Sequence, residues 1–217
     1  MPRLTVKLLW ATLVSLLLWA VPGSFLQQLI LWPIPLGAED SLGMLGRFMP
    51  WQLVTHLLIN PGLWNLLFIG LTLYYFGAML ESAWGTRRYG LFLLACAVGS
   101  TLLQFLVSTL AFAAGVGPYA PTSGADGVMY GILFACAYLW PRQEVMLMIP
   151  PVPVRMQTLV LVLCVVKFWF GIWGSGIFSQ FGFLGGLLAA WLHIRYWRGQ
   201  PPFAKKKPPP PKFRIVH

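Results

Sequence analysis

The sequence predicts an all-α membrane protein, a bundle of six transmembrane helices with a large interfacial first outer loop. Three observations carry that prediction. Of 217 residues, 58% are hydrophobic and only 9% charged, where soluble domains carry roughly 25%. The apolar residues gather into six runs, at about 8–32, 63–83, 89–114, 126–141, 156–174 and 178–197. Crossing a hydrocarbon core of ~30 Å takes about 20 such residues in a helix. The basic residues follow the runs: with the amino terminus in the cytoplasm, thirteen of the fifteen Lys and Arg fall on that side, leaving Arg47 outside and Lys167 within a span. That positive-inside bias predicts both termini in the cytoplasm.

Each element has its own justification. The first run carries Arg3 and Lys7 at its start, as a signal peptide does, but lacks an Ala-x-Ala cleavage pattern and is kept as a span. The fourth run is short; about 15 residues rise only about 22 Å, so its end lies below the membrane surface or under a cover of protein or water. Residues 33–62 mix apolar and aromatic side chains with Glu39, Asp40, Arg47 and several Gly/Pro breaks. They read as an outer-leaflet insertion of short interfacial helices. The chain therefore divides into a membrane domain, 1–199, and a Pro/Lys-rich tail, 200–217, too polar to build a core and suited to contact with anionic lipid.

The composition also excludes classes. A net charge of +10 that resides in topogenic clusters is no signal for nucleic acid. Cys96, Cys136 and Cys164 sit inside apolar runs, odd in number and without ligand spacing, so they read as small core residues, with no metal or cofactor expected. No internal repeat supports an inverted-repeat transporter, and the apolar fourth span below Asp126 disfavours a transporter or lipid scramblase conduit. Polar groups and glycines enter the membrane at one place. At 117–131 turn-forming residues run into the fourth span, with Asp126 at the expected N-cap and Gly127 and Gly131 four residues apart; the last span places Gly182, Gly186 and Ala190 on one stripe. Such spacing lets two backbones approach, so these helices are expected to pack together.

Several segments in this order resemble the rhomboid family of intramembrane serine proteases: PWQLVTHLLIN (51–60 and its flank), LYYFGAMLESAWGTRRY (73–89), GADGVMYG (124–131), WPRQEVMLMIPPVPVRMQTL (140–159) and GFLGG (182–186). The resemblance covers nearly the whole chain. It implies a six-helix bundle whose short fourth helix carries a Gly-x-Ser-Gly serine, whose sixth carries a histidine, and whose second helps form the oxyanion hole. Carried over residue by residue, the chain departs at each position. Asp126 stands in the serine position and Phe183 in the histidine position, while Asn65 and Ile69 stand where oxyanion-hole residues are expected.

Substitutes for the missing dyad are poor. Ser123 leads into Ala-Asp-Gly and reads as a loop or capping hydroxyl. His193 lies ten residues beyond Phe183, roughly 15 Å along a helix, His217 ends the tail, and His56 falls in the THLLIN segment, where the resemblance implies a structural hydrogen bond. Asp126 has no evident partner carboxylate for aspartyl chemistry. An N-cap carboxylate is the leading reading for it, within reach of Tyr130 one turn on; recognition of a polar client comes second and catalysis third. Asp126, Tyr130, Phe183 and Asn65 are the client-binding candidates, and Gly127, Gly131, Gly182, Gly186, His56 and Glu81 the structural ones. Glu81 is expected to anchor the fold with Arg87 or Arg88 as partner. Lys167 is open between snorkelling and a polar partner.

The expectation is a rhomboid-like pseudoprotease of a bacterial inner membrane. Inactive rhomboid relatives imply what it does: bind transmembrane client proteins in the bilayer and hold or deliver them for quality control or trafficking, with an AAA-type membrane protease as a partner. The alternative is an active rhomboid-like protease working through a non-standard site.

Overall fold

The computed structural model describes residues 3–18, 28–33, 49–60, 62–116, 122–146, 153–174 and 177–197. Six long helices dominate them: α1 (Arg3–Leu18), α3 (Leu63–Trp84), α4 (Thr86–Ala113), α5 (Asp126–Leu139), α6 (Met156–Gly174) and α7 (Phe181–Trp197), with a single turn, α2 (Gln52–Thr55), before α3. By length and composition α3 and α4 are apolar enough to cross a membrane, while α1, α5 and α6 contain shorter apolar stretches. Leu102, Leu106 and Leu110 of α4 and Leu161, Val165 and Trp169 of α6 point outward and are exposed. Apolar surface on that scale is stable in a bilayer and a liability in water. The interfacial insertion expected at 33–62 lies outside the described residues over 34–48, as does the basic tail over 198–217.

Helices α4, α5 and α7 form the centre, because their contact faces carry almost no side chain. A Cβ on Gly127 would collide with Ser100 of α4 and come within 2.7 Å of the Gly182 carbonyl of α7. One on Gly131 would lie 2.8 Å from Cys96 Sγ, and one on Gly186 would strike the Gly127 backbone. The two small-residue stripes thus meet as their spacing predicts, and α4 adds Gly99 and Ser100 to the same seam. Ala190 closes the stripe, fully buried. Cys96 and Cys136 are buried, Cys164 is half-buried, and all are free thiols.

Helix α3 is interrupted by a π-helical stretch, Leu73–Gly77, where the Cys136 thiol donates to the Phe76 carbonyl, 3.8 Å away. At the far end of α3 the Glu81 carboxylate is a cap supplied in trans. It accepts from the Leu4 N–H (2.9 Å), the Thr5 N–H (2.7 Å) and hydroxyl (2.6 Å), and the Thr86 hydroxyl (2.8 Å). Amides in the first turn of α1 have no intrahelical acceptor, and a carboxylate there also complements the helix dipole. Anchoring by Glu81 was expected with an arginine partner. Instead Arg88 lies over the Trp197 ring, 5.1 Å from its centroid, because backbone amides and hydroxyls already saturate the carboxylate.

Two further expectations are corrected. The fold is not purely helical: Glu144–Met146 and Pro153–Arg155 pair as an antiparallel hairpin, with Glu144 opposite Arg155, a cross-strand pair of opposite charge. The described part of the first outer loop, 49–60, is packed in rather than interfacial throughout. Gln52, His56, Ile59 and Asn60 are buried while Trp51 and Val54 face outward. Gln52 ties this segment to residues 28–32 through the Gln28 carbonyl (3.2 Å) and the Trp32 N–H (3.3 Å), and Leu31 pairs with Thr122 before α5.

Candidate functional site

The approach to α5 fixes the site. Gly124 takes a φ of 114° that strains any other residue, and its N–H donates to the His56 carbonyl (3.0 Å). The Ala125 N–H donates to Asn60 Oδ1 (2.9 Å). Helix α5 then starts at Asp126 with Ala125 as its N-cap residue and no side-chain cap bond. The expected N-cap role of Asp126 is therefore wrong by one position, and its carboxylate goes elsewhere. Lys167 of α6 sits 2.5 Å from Asp126 Oδ2. A lone ammonium on an apolar helix has a large desolvation cost, and the nearest carboxylate relieves it. Tyr130 does not reach Asp126; its hydroxyl donates to the Leu163 carbonyl (3.4 Å).

One turn further, Phe183 of α7 is buried against Tyr130, ring centroids 5.4 Å apart and planes at 54°. Asp126, Phe183, His56, Gly127 and Gly182 line one polar cavity of about 30 Å³ together with Lys167, room for a water molecule or two. Gln104 of α4 braces its far wall, accepting from the Gly182 N–H (2.7 Å) and donating to the Phe178 carbonyl (3.2 Å) and to Ser108 (2.8 Å). Of the remaining candidates, Ile69 lines a separate apolar groove of about 520 Å³ flanked by α1, α3, α4 and α5, and half-buried Asn65 lines neither space.

His56 is fixed at both ring nitrogens. Nδ1 lies 2.8 Å from the Gln52 carbonyl, an acceptor only, so Nδ1 carries the proton and Nε2 faces the Thr101 hydroxyl at 3.4 Å, whose single proton is shared with the Leu53 carbonyl at 3.5 Å. Burial, which outweighs the bond to Gln52, lowers the His56 pKa from 6.5, and the ring stays neutral. Ser123 lies in the loop before α5 and lines the polar cavity.

Sequence reasoning missed Asn60, Gln104 and Thr101 and left Lys167 undecided. Only Lys167 had a signal, a charge inside an apolar run; the other three are ordinary polar residues whose partners are distant in the chain.

A family model described as "Eukaryotic integral membrane protein (DUF1751)" matches residues 7–215. The chain belongs to that family. Rhomboid protease GluP of Bacillus subtilis (strain 168) is 28% identical over 150 residues, 69% of this chain and 26% of that protein. The chain thus matches about a quarter of that relative's length. The two matches support a rhomboid-like membrane protein. The bacterial inner membrane location is overturned by the DUF1751 description, which names eukaryotic proteins. Basic residues beside apolar spans report the side of a membrane, not the kind of cell that contains it.

Proposed function

We propose that this DUF1751 protein is a six-span rhomboid-like pseudoprotease that binds transmembrane client proteins, as an adaptor or chaperone in membrane-protein quality control or trafficking, with an AAA-type membrane protease as one class of recipient. The observation that carries this reading is the occupancy of the site. Acyl transfer needs a nucleophile within hydrogen-bond reach of a base, beside donors for the developing oxyanion. At the two corresponding positions stand a carboxylate neutralised by Lys167 and a phenyl ring packed on Tyr130. The cavity between them accepts water but no peptide. The 520 Å³ groove, open along the apolar surface, supplies a place for lateral contact with a helix.

A second reading keeps proteolysis at a non-standard site, and one contact favours it: the Thr101 hydroxyl faces His56 Nε2, whose ring is oriented through Nδ1. The 3.4 Å separation and the burial of both side chains weigh against it. Purified protein in proteoliposomes with a rhomboid model substrate decides between the two. The expected outcome is no cleavage above a protein-free control, with Asp126→Ala altering client crosslinking and leaving cleavage at baseline. Product formation that disappears in Thr101→Val or Asp126→Ala establishes the protease.

A further inference from the structure

An ion pair inside a membrane bundle has a large desolvation cost and marks function by default. The Asp126–Lys167 pair has an asymmetry that suggests which function. Lys167 is 30% exposed and Asp126 23%, so the pair is at the edge of the bundle and within reach of a neighbouring helix. Lys167 is the single charged residue of α6, a peripheral helix that packs chiefly on α5, on the 3-10 turn Ile177–Gln180 and on the hairpin, with Val166 and Phe168 exposed beside it. Its flexible stem can turn toward a new anion. Asp126 by contrast lies in the first turn of α5, whose N-cap residue Ala125 offers no capping side chain, and the first-turn amides and positive dipole end of a helix stabilise a carboxylate without a cation. The adjoining cavity also has room for water.

We propose that this pair recognises a carboxylate borne by the membrane segment of a client helix, Lys167 transferring from Asp126 to the incoming Asp or Glu while Asp126 falls back on the amino terminus of α5. The inference rests on the client-binding reading and adds the chemistry of the client. Every charge keeps a partner in that exchange. An incoming Lys or Arg gains no such arrangement, because it takes Asp126 and leaves Lys167 stranded on an apolar helix. The site is therefore selective for sign.

The test uses the full-length protein in nanodiscs and a set of synthetic transmembrane peptides of one apolar host sequence, carrying Leu, Gln, Glu or Lys at a single position matched in depth to Lys167, with binding followed by photocrosslinking. The Glu peptide is expected to bind roughly three- to twenty-fold tighter than the Leu host, the range that interhelical polar contacts in membranes provide. Gln and Lys peptides are expected to stay near the host. Lys167→Met abolishes the preference while host binding persists. The double variant Asp126→Asn with Lys167→Met, which leaves no charge unpaired, does the same and covers the case in which the single variant misfolds. Equal binding of Glu, Gln and Lys peptides, or a Glu preference that survives loss of Lys167, overturns the recognition of a carboxylate and leaves client binding standing. Failure of every peptide to bind overturns both.

Discussion

Asp126 and Lys167 are 41 residues apart in the chain and form the salt bridge that organises the site. Removing Asp126 strands the Lys167 ammonium on an apolar helix, whereas removing Lys167 leaves Asp126 at the amino terminus of α5. Asp126→Asn is expected to destabilise the protein in detergent by about 1–2 kcal/mol, below the range for a fully buried pair because both groups are partly exposed, and Lys167→Met by less. Together they are expected to cost less than the sum, a coupling that a double-mutant cycle of thermal unfolding measures; strict additivity argues against the pair. His56 makes a second residue-level prediction. Its pKa is lowered in the folded protein relative to 6.5, so the unfolded chain takes up a proton that the folded one refuses. Its stabilising contribution is complete above about pH 6.5 and declines as pH falls toward the lowered folded value. Unfolding midpoints measured from about pH 8 down to about pH 5 should decline, and His56→Gln should flatten the slope. An unchanged slope in that variant assigns the pH dependence to other groups.

At the scale of elements, the seam between α5 and α7 is decided by backbone contact. The Cβ of Gly186→Ala would fall on the backbone of Gly127, which cannot retreat without moving α5 and the loop that positions Asp126. That substitution is expected to cost about 1–3 kcal/mol or more, whereas Gly70→Ala on α3, with nothing within 4 Å of the added methyl, is expected to be neutral or stabilising by up to about 1 kcal/mol. Thermal unfolding of the two variants side by side checks this; equal effects would show that the glycines act through helix propensity and not through close approach. The short length of α5 belongs to the same design. Its 14 residues rise only about 21 Å, so its polar start lies in the bundle, roofed by the 49–60 segment through Asn60 and His56.

For the whole molecule, the outward-facing Leu, Val and Trp side chains of α4 and α6 and the buried polar network around Gln104 describe a protein with apolar material outside and polar contacts inside. Such a surface stays in lipid. The DUF1751 protein is expected to remain in the membrane pellet through an alkaline carbonate wash, and its recovery in the supernatant would contradict an integral membrane protein.

The helix positions were legible in the sequence because hydropathy is a local property: runs at 63–83, 126–141 and 156–174 became helices whose bounds differ by a residue or two, if at all. The meeting of the Gly127/Gly131 and Gly182/Gly186 stripes was legible for a similar reason, since small residues at a four-residue interval define a face. The partner of each polar group was not legible. Glu81 chose the amino terminus of α1 over the nearby arginines, Asp126 chose Lys167 over its own helix, and Asn60, Gln104 and Thr101 gained roles only through neighbours distant in the chain. By itself the sequence determined a membrane-embedded helical chain with a carboxylate, Asp126, and a phenyl group, Phe183, on two helices that carry small-residue stripes. Only the tertiary structure decided that the carboxylate is held by a lysine, because a hydrogen bond or ion pair depends on distances of a few ångströms between segments whose separation along the chain carries no record of them.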